Sequence, residues 1–210
     1  MSNGEKQLAA WSGVFGNEYL ERNQSSSEAV EKRRHAFIEI FKNFSFDTAP
    51  TSILEAGCNI GMNLLALAQL TEAELYGVEP NKKALDLAIK NGALGKDSAH
   101  QASLQSLPFN SETVDLVFTS GVLIHLPEDS INEAISEIYR VSRRYILALE
   151  YFAPTPQAVR YHGHNDFLFK RDYGGLFIDA FPDLDHMANG FFWNRTTGLD
   201  NLNWWLFEKR

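Results

Sequence analysis

The sequence predicts an open α/β sandwich: a mostly parallel seven-stranded sheet, closed by an antiparallel hairpin and preceded by a helical arm. Three observations predict it. From Ser52 onward, short apolar runs alternate with helical stripes, the signature of βαβ units. The first run turns into the first stripe through a loop carrying Gly57 and Gly61, at the strand end where open sheets place ligands. The last two runs follow one another with no helix between them, which reads as an antiparallel pair.

The arm covers residues 1–47 and the α/β body residues 48–210. Within 5–22, Trp11, Phe15 and Tyr19 stand four apart and share one helical face, although Gly13 and Gly16 weaken that helix. Ser25 with Glu28 is a capping-box pattern opening a second helix. Phe37, Phe41 and Phe44 lie on one side of it, and it ends near Asp47. After Pro50, residues 52–56 read as a buried strand, 61–70 as a helix and 74–79 as a second strand. Residues 81–91 read as a helix closed by Gly92. Residues 99–102 form a weak third strand and 114–119 a strong fourth, apolar except for Asp115 and Thr119. Ile131, Ala134, Ile135 and Ile138 give a helical stripe, and 144–151 a fifth strand. Residues 187–193 and 203–209 make the hairpin, joined by a polar Asn/Gly loop.

Composition excludes several functions. The 210 residues, 44% of them apolar, suit one domain or one domain with a small appendage. With 19 basic and 27 acidic residues the net charge is −8, and no basic cluster exists to hold a nucleic-acid backbone. No basic amphipathic face suits a membrane surface, and no apolar run is long enough to cross a bilayer. The start, MSNGEKQLAA, has no signal-peptide apolar core. The single cysteine, Cys58, rules out an internal disulfide and any multi-cysteine metal site. The expectation is a cytoplasmic protein, monomer or homodimer, that handles a small molecule and binds neither nucleic acid nor membrane.

The loop Leu54-Glu55-Ala56-Gly57-Cys58-Asn59-Ile60-Gly61 lacks the Gly-Lys-Ser/Thr of a triphosphate site and is not G-x-G-x-x-G either. Glu79, followed by Pro80, ends the second strand about 20 residues after the loop glycine, a spacing that suits the hydroxyls of an adenosine ribose. Together these features favour an adenosine-type cofactor. Cys58 sits inside the loop and is expected to pack there rather than react.

These residues carry a resemblance. Glu55-x-Gly57-x-Asn59-x-Gly61 resembles the acidic-glycine signature of class I S-adenosylmethionine (SAM) dependent methyltransferases, with Asn59 replacing the middle glycine. Asn tolerates left-handed backbone, so the loop can form. Leu104-Gln105-Ser106-Leu107-Pro108-Phe109 looks like that family's adenine-side segment, and Ser103 stands where many members carry Asp. Residues 114–123, with Ser120 and Gly121 at the strand end, look like the segment facing the sulfonium. A narrower likeness is to the methylases associated with pseudaminic acid biosynthesis. It is carried by Trp11 to Tyr19 with Arg22-Asn23, by Asn59-Ile60-Gly61-Met62-Asn63-Leu64, by Gly121 to His125, by Leu168 to Asp172 and by Trp204 to Lys209. Tyr161-His162-Gly163-His164 departs from it, with His162 where Arg is preferred. The resemblance implies a Rossmann-like class I methyltransferase sandwich whose cofactor is SAM.

Candidate roles follow. Trp11, Phe15 and Tyr19 either form an aromatic lid over the sulfonium or dock the arm, with Tyr19 the ligand candidate. Arg22 either pairs with the methionine carboxylate or is a solvated helix-end arginine, and Asn23 positions the same group. Glu55, Gly57, Asn59, Gly61, Met62, Asn63, Glu79, Pro80, Ser103, Leu104, Ser120 and Gly121 complete the expected cofactor set. Tyr19, His125 and Tyr151 are the catalytic candidates, His125 as base or acceptor ligand. Tyr151, His162, His164 and Asp166 lie on the acceptor rim, and no metal site is expected there. Asp172 caps a helix entry at Lys170-Arg171-Asp172. The tail aromatics Phe191, Phe192, Trp193, Trp204 and Trp205 either pack the hairpin or cover an interface.

Methyl transfer to a small polar acceptor is the leading expectation, and the resemblance implies an amino sugar or sugar nucleotide. The alternative is cyclisation of SAM itself to azetidine-2-carboxylate with release of methylthioadenosine. A third reading is a non-catalytic SAM-binding domain.

Overall fold

A computed structural model describes residues 1–22, 25–163, 165 and 167–210, for Arg22 the backbone only. The expectations for the Arg22 side chain, Asn23, His164 and Asp166 therefore fall outside the described residues. Two helices, α1 (Asn3–Ser12) and α2 (Val14–Arg22), replace the single one expected over 5–22. The break is at Gly13, whose N–H still closes on the Ala10 carbonyl while its own backbone leaves helical geometry. A capping box between Ser2 and Glu5 opens α1. Helix α3 (Ser27–Phe41) is capped by Ser26, not Ser25: the Ser26 hydroxyl accepts from the Ala29 N–H at 3.1 Å. It stops at Phe41 rather than near Asp47, and Phe44 turns off to pack edge-on against Tyr145, ring centroids 4.8 Å apart.

The body alternates β1 (Ser52–Ala56), α4 (Met62–Leu67), β2 (Glu74–Val78), α5 (Lys82–Lys90), β3 (Ala99–His100), β4 (Val114–Ser120), α6 (Glu128–Val141) and β5 (Ser142–Glu150). A two-stranded ribbon, β6 (Gln157–Ala158) with β7 (Phe169–Lys170), precedes α7 (Tyr173–Ala180), β8 (Leu184–Phe192), α8 (Asn194–Thr197) and β9 (Leu202–Lys209). The ribbon was not foreseen, being too short to leave a period. Helix α4 is shorter than expected, β3 shrinks to two residues, and the hairpin begins at Leu184. Asp172 caps α7 as expected, accepting from the Gly175 N–H at 2.9 Å.

The sheet order is β3-β2-β1-β4-β5-β9-β8, parallel from β3 to β5 and antiparallel at β9 and β8. Strands β1 and β4 are central and buried on both faces, so apolar residues stand next to one another in them, Ile53-Leu54 in β1 and Leu116-Val117-Phe118 in β4. The two faces bury separate cores. Phe37, Ile40, Leu64, Leu67, Phe118 and Leu206 fill one under α3 and α4. Val117, Ile131, Ile135, Ile146, Phe177 and Phe207 fill the other under α6 and α7. At its start β4 is pinned to the chain entering β1, because Asp115 accepts from the Thr51 N–H and pairs with Arg143. Among the described residues no helix is long and apolar enough to cross a membrane. Trp204 packs into the core against Phe192, while Phe191 and Trp193 remain exposed.

Candidate active site

The site forms where β1 and β4 end and the strand order reverses. The turn after β1 needs three left-handed residues, Gly57 (φ 87), Asn59 (φ 48) and Gly61 (φ 78), so Asn59 does take the conformation that glycine would supply. The N–H groups of Gly57 and Cys58 both donate to the Val78 carbonyl, at 2.7 and 2.9 Å. A Cβ on Gly57 would meet the Val122 methyls at 2.7 Å, which fixes the loop after β4 directly against the turn. Gly61 answers a packing need as well: its Cβ would meet Ala93 at 2.4 Å. Cys58 is buried, and burial holds its thiol protonated.

Glu79 closes the turn from β2. Its two oxygens accept from the Asn59 and Asn81 N–H groups, each at 2.9 Å. Burial nevertheless pushes its carboxyl up to about 7. Each oxygen keeps a lone pair for a further donor. Glu79, Pro80, Ser103, Leu104 and Gly121 line one cleft, roofed by Gln7, Leu8 and Trp11 of α1. Trp11 meets Phe15 and Tyr19 edge-on and lies 4.5 Å from His125, centroid to centroid.

A second recess continues from that cleft past Gly57 and Asn59 to Glu55, Met62, Asn63, Ser120, Tyr19 and Arg33. Glu55 accepts from the Asn63 amide at 2.6 Å through one oxygen. Its other oxygen, and the side-chain oxygen of Asn59, are buried and have no hydrogen-bond partner among the described residues. Burial pushes the Glu55 carboxyl up to about 8. Arg33 lines the same recess, and one of its nitrogens donates to the Ala29 carbonyl at 2.8 Å. Burial lowers the Arg33 guanidinium from its ordinary range, and the charges of Glu55, Tyr19 and Asp200 oppose that shift. The recess thus gathers two buried oxygens without a partner among the described residues and one guanidinium.

His125 borders both the cofactor-side cleft and a third cavity beyond it. Its Nδ1 lies 2.6 Å from the Phe167 carbonyl, so Nδ1 carries the proton and Nε2 keeps the lone pair. Burial pushes the imidazole down to about 4, leaving it neutral. The segment carrying it is clamped from two sides. Glu150, at the end of β5, accepts from the N–H groups of Val122, Leu123 and Ile124 at 3.2–3.3 Å. Arg171, also buried, donates to the Leu126 carbonyl at 2.9 Å. The Tyr151 hydroxyl donates to Asp200 at 2.9 Å, on the rim of the third cavity. Tyr19 borders the cleft, the recess and the third cavity alike.

With this geometry in view, the comparisons have a physical counterpart. Residues 53–144 match a family model described as a methyltransferase domain. An uncharacterized methyltransferase of Schizosaccharomyces pombe is 33% identical over 101 residues, covering 43% of this chain and 36% of that protein. The chain spans about a third of the length of the curated relatives it matches. Magnesium protoporphyrin IX methyltransferase of Synechocystis, with bound SAM, superposes with a TM-score of 0.67 at 16% identity, covering 100% of this chain and 98% of that one. Burkholderia thailandensis 1,6-didemethyltoxoflavin N1-methyltransferase, with its substrate and S-adenosylhomocysteine (SAH), gives 0.71 at 14% identity, covering 100% and 91%. The fold is that of SAM-dependent methyltransferases.

The structure brings Tyr19, Glu55, Gly57, Asn59, Met62, Asn63, Glu79, Pro80, Ser103, Leu104, Ser120, Gly121 and His125 around one continuous opening, with Tyr151 on its far rim. Three functional candidates escaped sequence reasoning: Arg33, Glu150 and Asp200. Arg33 left a signal. It lies three residues after Val30 and four before Phe37, a charge on the stripe that α3 buries.

Proposed function

We propose that the protein is a SAM-dependent methyltransferase acting on a small polar acceptor. The observation that carries this reading is the recess at the end of β1. Its lining holds the unpartnered Glu55 and Asn59 oxygens together with Arg33, a set matching the ammonium and carboxylate of an amino acid. Glu79, one cleft-width away, would take the ribose hydroxyls, with Ser103 and Leu104 beside the base. SAM supplies a methyl carbon made electrophilic by its sulfonium. The chain's own residues do the rest. Arg33, Glu55 and Asn59 hold the amino-acid end, Trp11 and Tyr19 of the arm cover it, and Ser120 and Gly121 line the passage to the third cavity. Neutral His125 presents Nε2 as a proton acceptor or acceptor ligand. Helices α1 and α2 of the 1–47 arm act as the lid, while α3 is packed on the 48–210 body. An amino sugar, free or nucleotide-linked, is the acceptor class the narrower resemblance supports.

The test is incubation of the full chain with SAM, alone and with candidate acceptors, following sulfur products by mass spectrometry. SAH formed only when an acceptor is present supports methyl transfer. Methylthioadenosine from SAM alone overturns it in favour of cyclisation, and SAM binding without either product in any acceptor mixture overturns catalysis.

A further inference from the structure

The third cavity constrains the acceptor more tightly than the fold does. It holds about 160 Å³, close to the roughly 150 Å³ that accommodates benzene in an engineered protein cavity. Its walls are Tyr151, Tyr161, Leu168 and Leu199 with His125 at the base. Among the described residues lining it, Arg33 and Asp200 are the only ones of Asp, Glu, Lys or Arg type. On the reading above, Arg33 faces the SAM carboxylate across the shared wall. Among the described residues of the cavity, Asp200 is then the acid left for a second molecule. Tyr151 already donates to one Asp200 oxygen, orienting the carboxylate and leaving the other oxygen as an acceptor. Aromatic faces beside a carboxylate suit a cation and penalise an anion.

We infer that the acceptor is a compact amine, about one six-membered ring in size, whose ammonium is anchored by Asp200 within the ring of tyrosines. This rests on the methyltransferase reading and narrows it: a nucleotide-linked sugar exceeds the cavity, and a carboxylate would face Asp200. In the transfer, the ammonium first loses a proton to water at the Asp200 rim. The nitrogen lone pair then bonds to the methyl carbon as the carbon–sulfur bond breaks, and that bonding pair stays on sulfur.

The test separates the class of acceptor from the reaction. Benzylamine, benzyl alcohol and benzoate share a ring and differ in charge. Binding of each to the SAH-loaded full chain is measured by ligand-observed NMR and calorimetry. Benzylamine is expected to bind about three-fold more tightly than benzyl alcohol and benzoate more weakly than either, an ion pair to the exposed Asp200 being worth about that ratio. In Asp200→Asn, measured at saturating SAH, the preference for benzylamine disappears. Equal binding of amine and alcohol, or a preference that survives in Asp200→Asn, overturns the inference. So does turnover of a nucleotide-linked amino sugar. Absence of SAH formation with SAM and compact amines, where the amine preference holds, counts against methyl transfer and leaves the amine site standing.

Discussion

Arg33 and Glu55 carry opposite formal charges across one recess, and their burial sets what each does. Glu55, pushed up to about 8, is protonated at neutral pH until a cation reaches it. A bound ammonium favours the carboxylate, so SAM binding releases a proton and tightens as pH rises from 6 to 8. Calorimetry in two buffers of different ionisation enthalpy measures that release, and Glu55→Gln abolishes it. Arg33→Ala removes the cation facing the carboxylate and is expected to weaken SAM binding by about ten- to a hundred-fold, with the far-UV spectrum unchanged. Gly57→Ala combines a φ of 87 with a Cβ 2.7 Å from Val122 and should cost about 2 kcal/mol or more, read as a lowered unfolding midpoint in urea. At this scale the sequence told a great deal where chemistry and spacing coincide. The left-handed turn, its Asn59 substitution and the strand-end acid were all visible. Asp200 was not, because its partner Tyr151 lies on another strand's end and nothing local links them.

At the scale of elements, the passage from β4 to α6 shows how a loop gains a fixed shape. Its donors are gathered by one buried carboxylate and an acceptor by one buried guanidinium. Glu150→Ala leaves three buried N–H groups without a partner and should destabilise the chain by about 3 kcal/mol. Glu150→Gln keeps one acceptor oxygen and should cost less, while displacing His125 enough to lower kcat more than SAM affinity. Matched thermal melts and steady-state kinetics separate the two effects. Strands β1, β4 and β5 and helix α6 were legible because burial on both faces, or a stripe of period 3.6, leaves an unmistakable pattern. The arm was less so. Gly13 was recognised as a weak point, but whether a glycine bends or breaks a helix depends on what the following turn packs against. Here Phe15 finds Phe167 and Trp11 finds His125.

For the molecule as a whole, the buried acids make stability depend on pH in an unusual direction. Glu55 is held at about 8 and Glu79 and Glu150 at about 7, above their unfolded value of 4.5. Between those limits the folded chain keeps protons that the unfolded chain has released, so this contribution falls as pH rises from about 5 to 8. His125 acts oppositely. Held at about 4 against an unfolded 6.5, it removes stability as pH falls through that interval. The three acids outweigh the one histidine, so the ligand-free protein should melt higher near pH 5 than near 6.5, and lower still at 8. A melting temperature that climbs from 6.5 to 8 contradicts this assignment, and Glu150→Gln should flatten the alkaline decline.

The position of β9 has a consequence for how the chain is made. It is the last strand in sequence, yet it lies inside the sheet, between β5 and β8. A ribosome delivering the chain from its N-terminus releases β1 to β5 early and β8 later. Neither the open flank of β5 nor β8 itself can be satisfied until residues 202–209 leave the exit tunnel. The nascent chain thus carries an unpaired apolar strand edge until residues 202–209 emerge, an interval in which that edge is open to pairing with another chain.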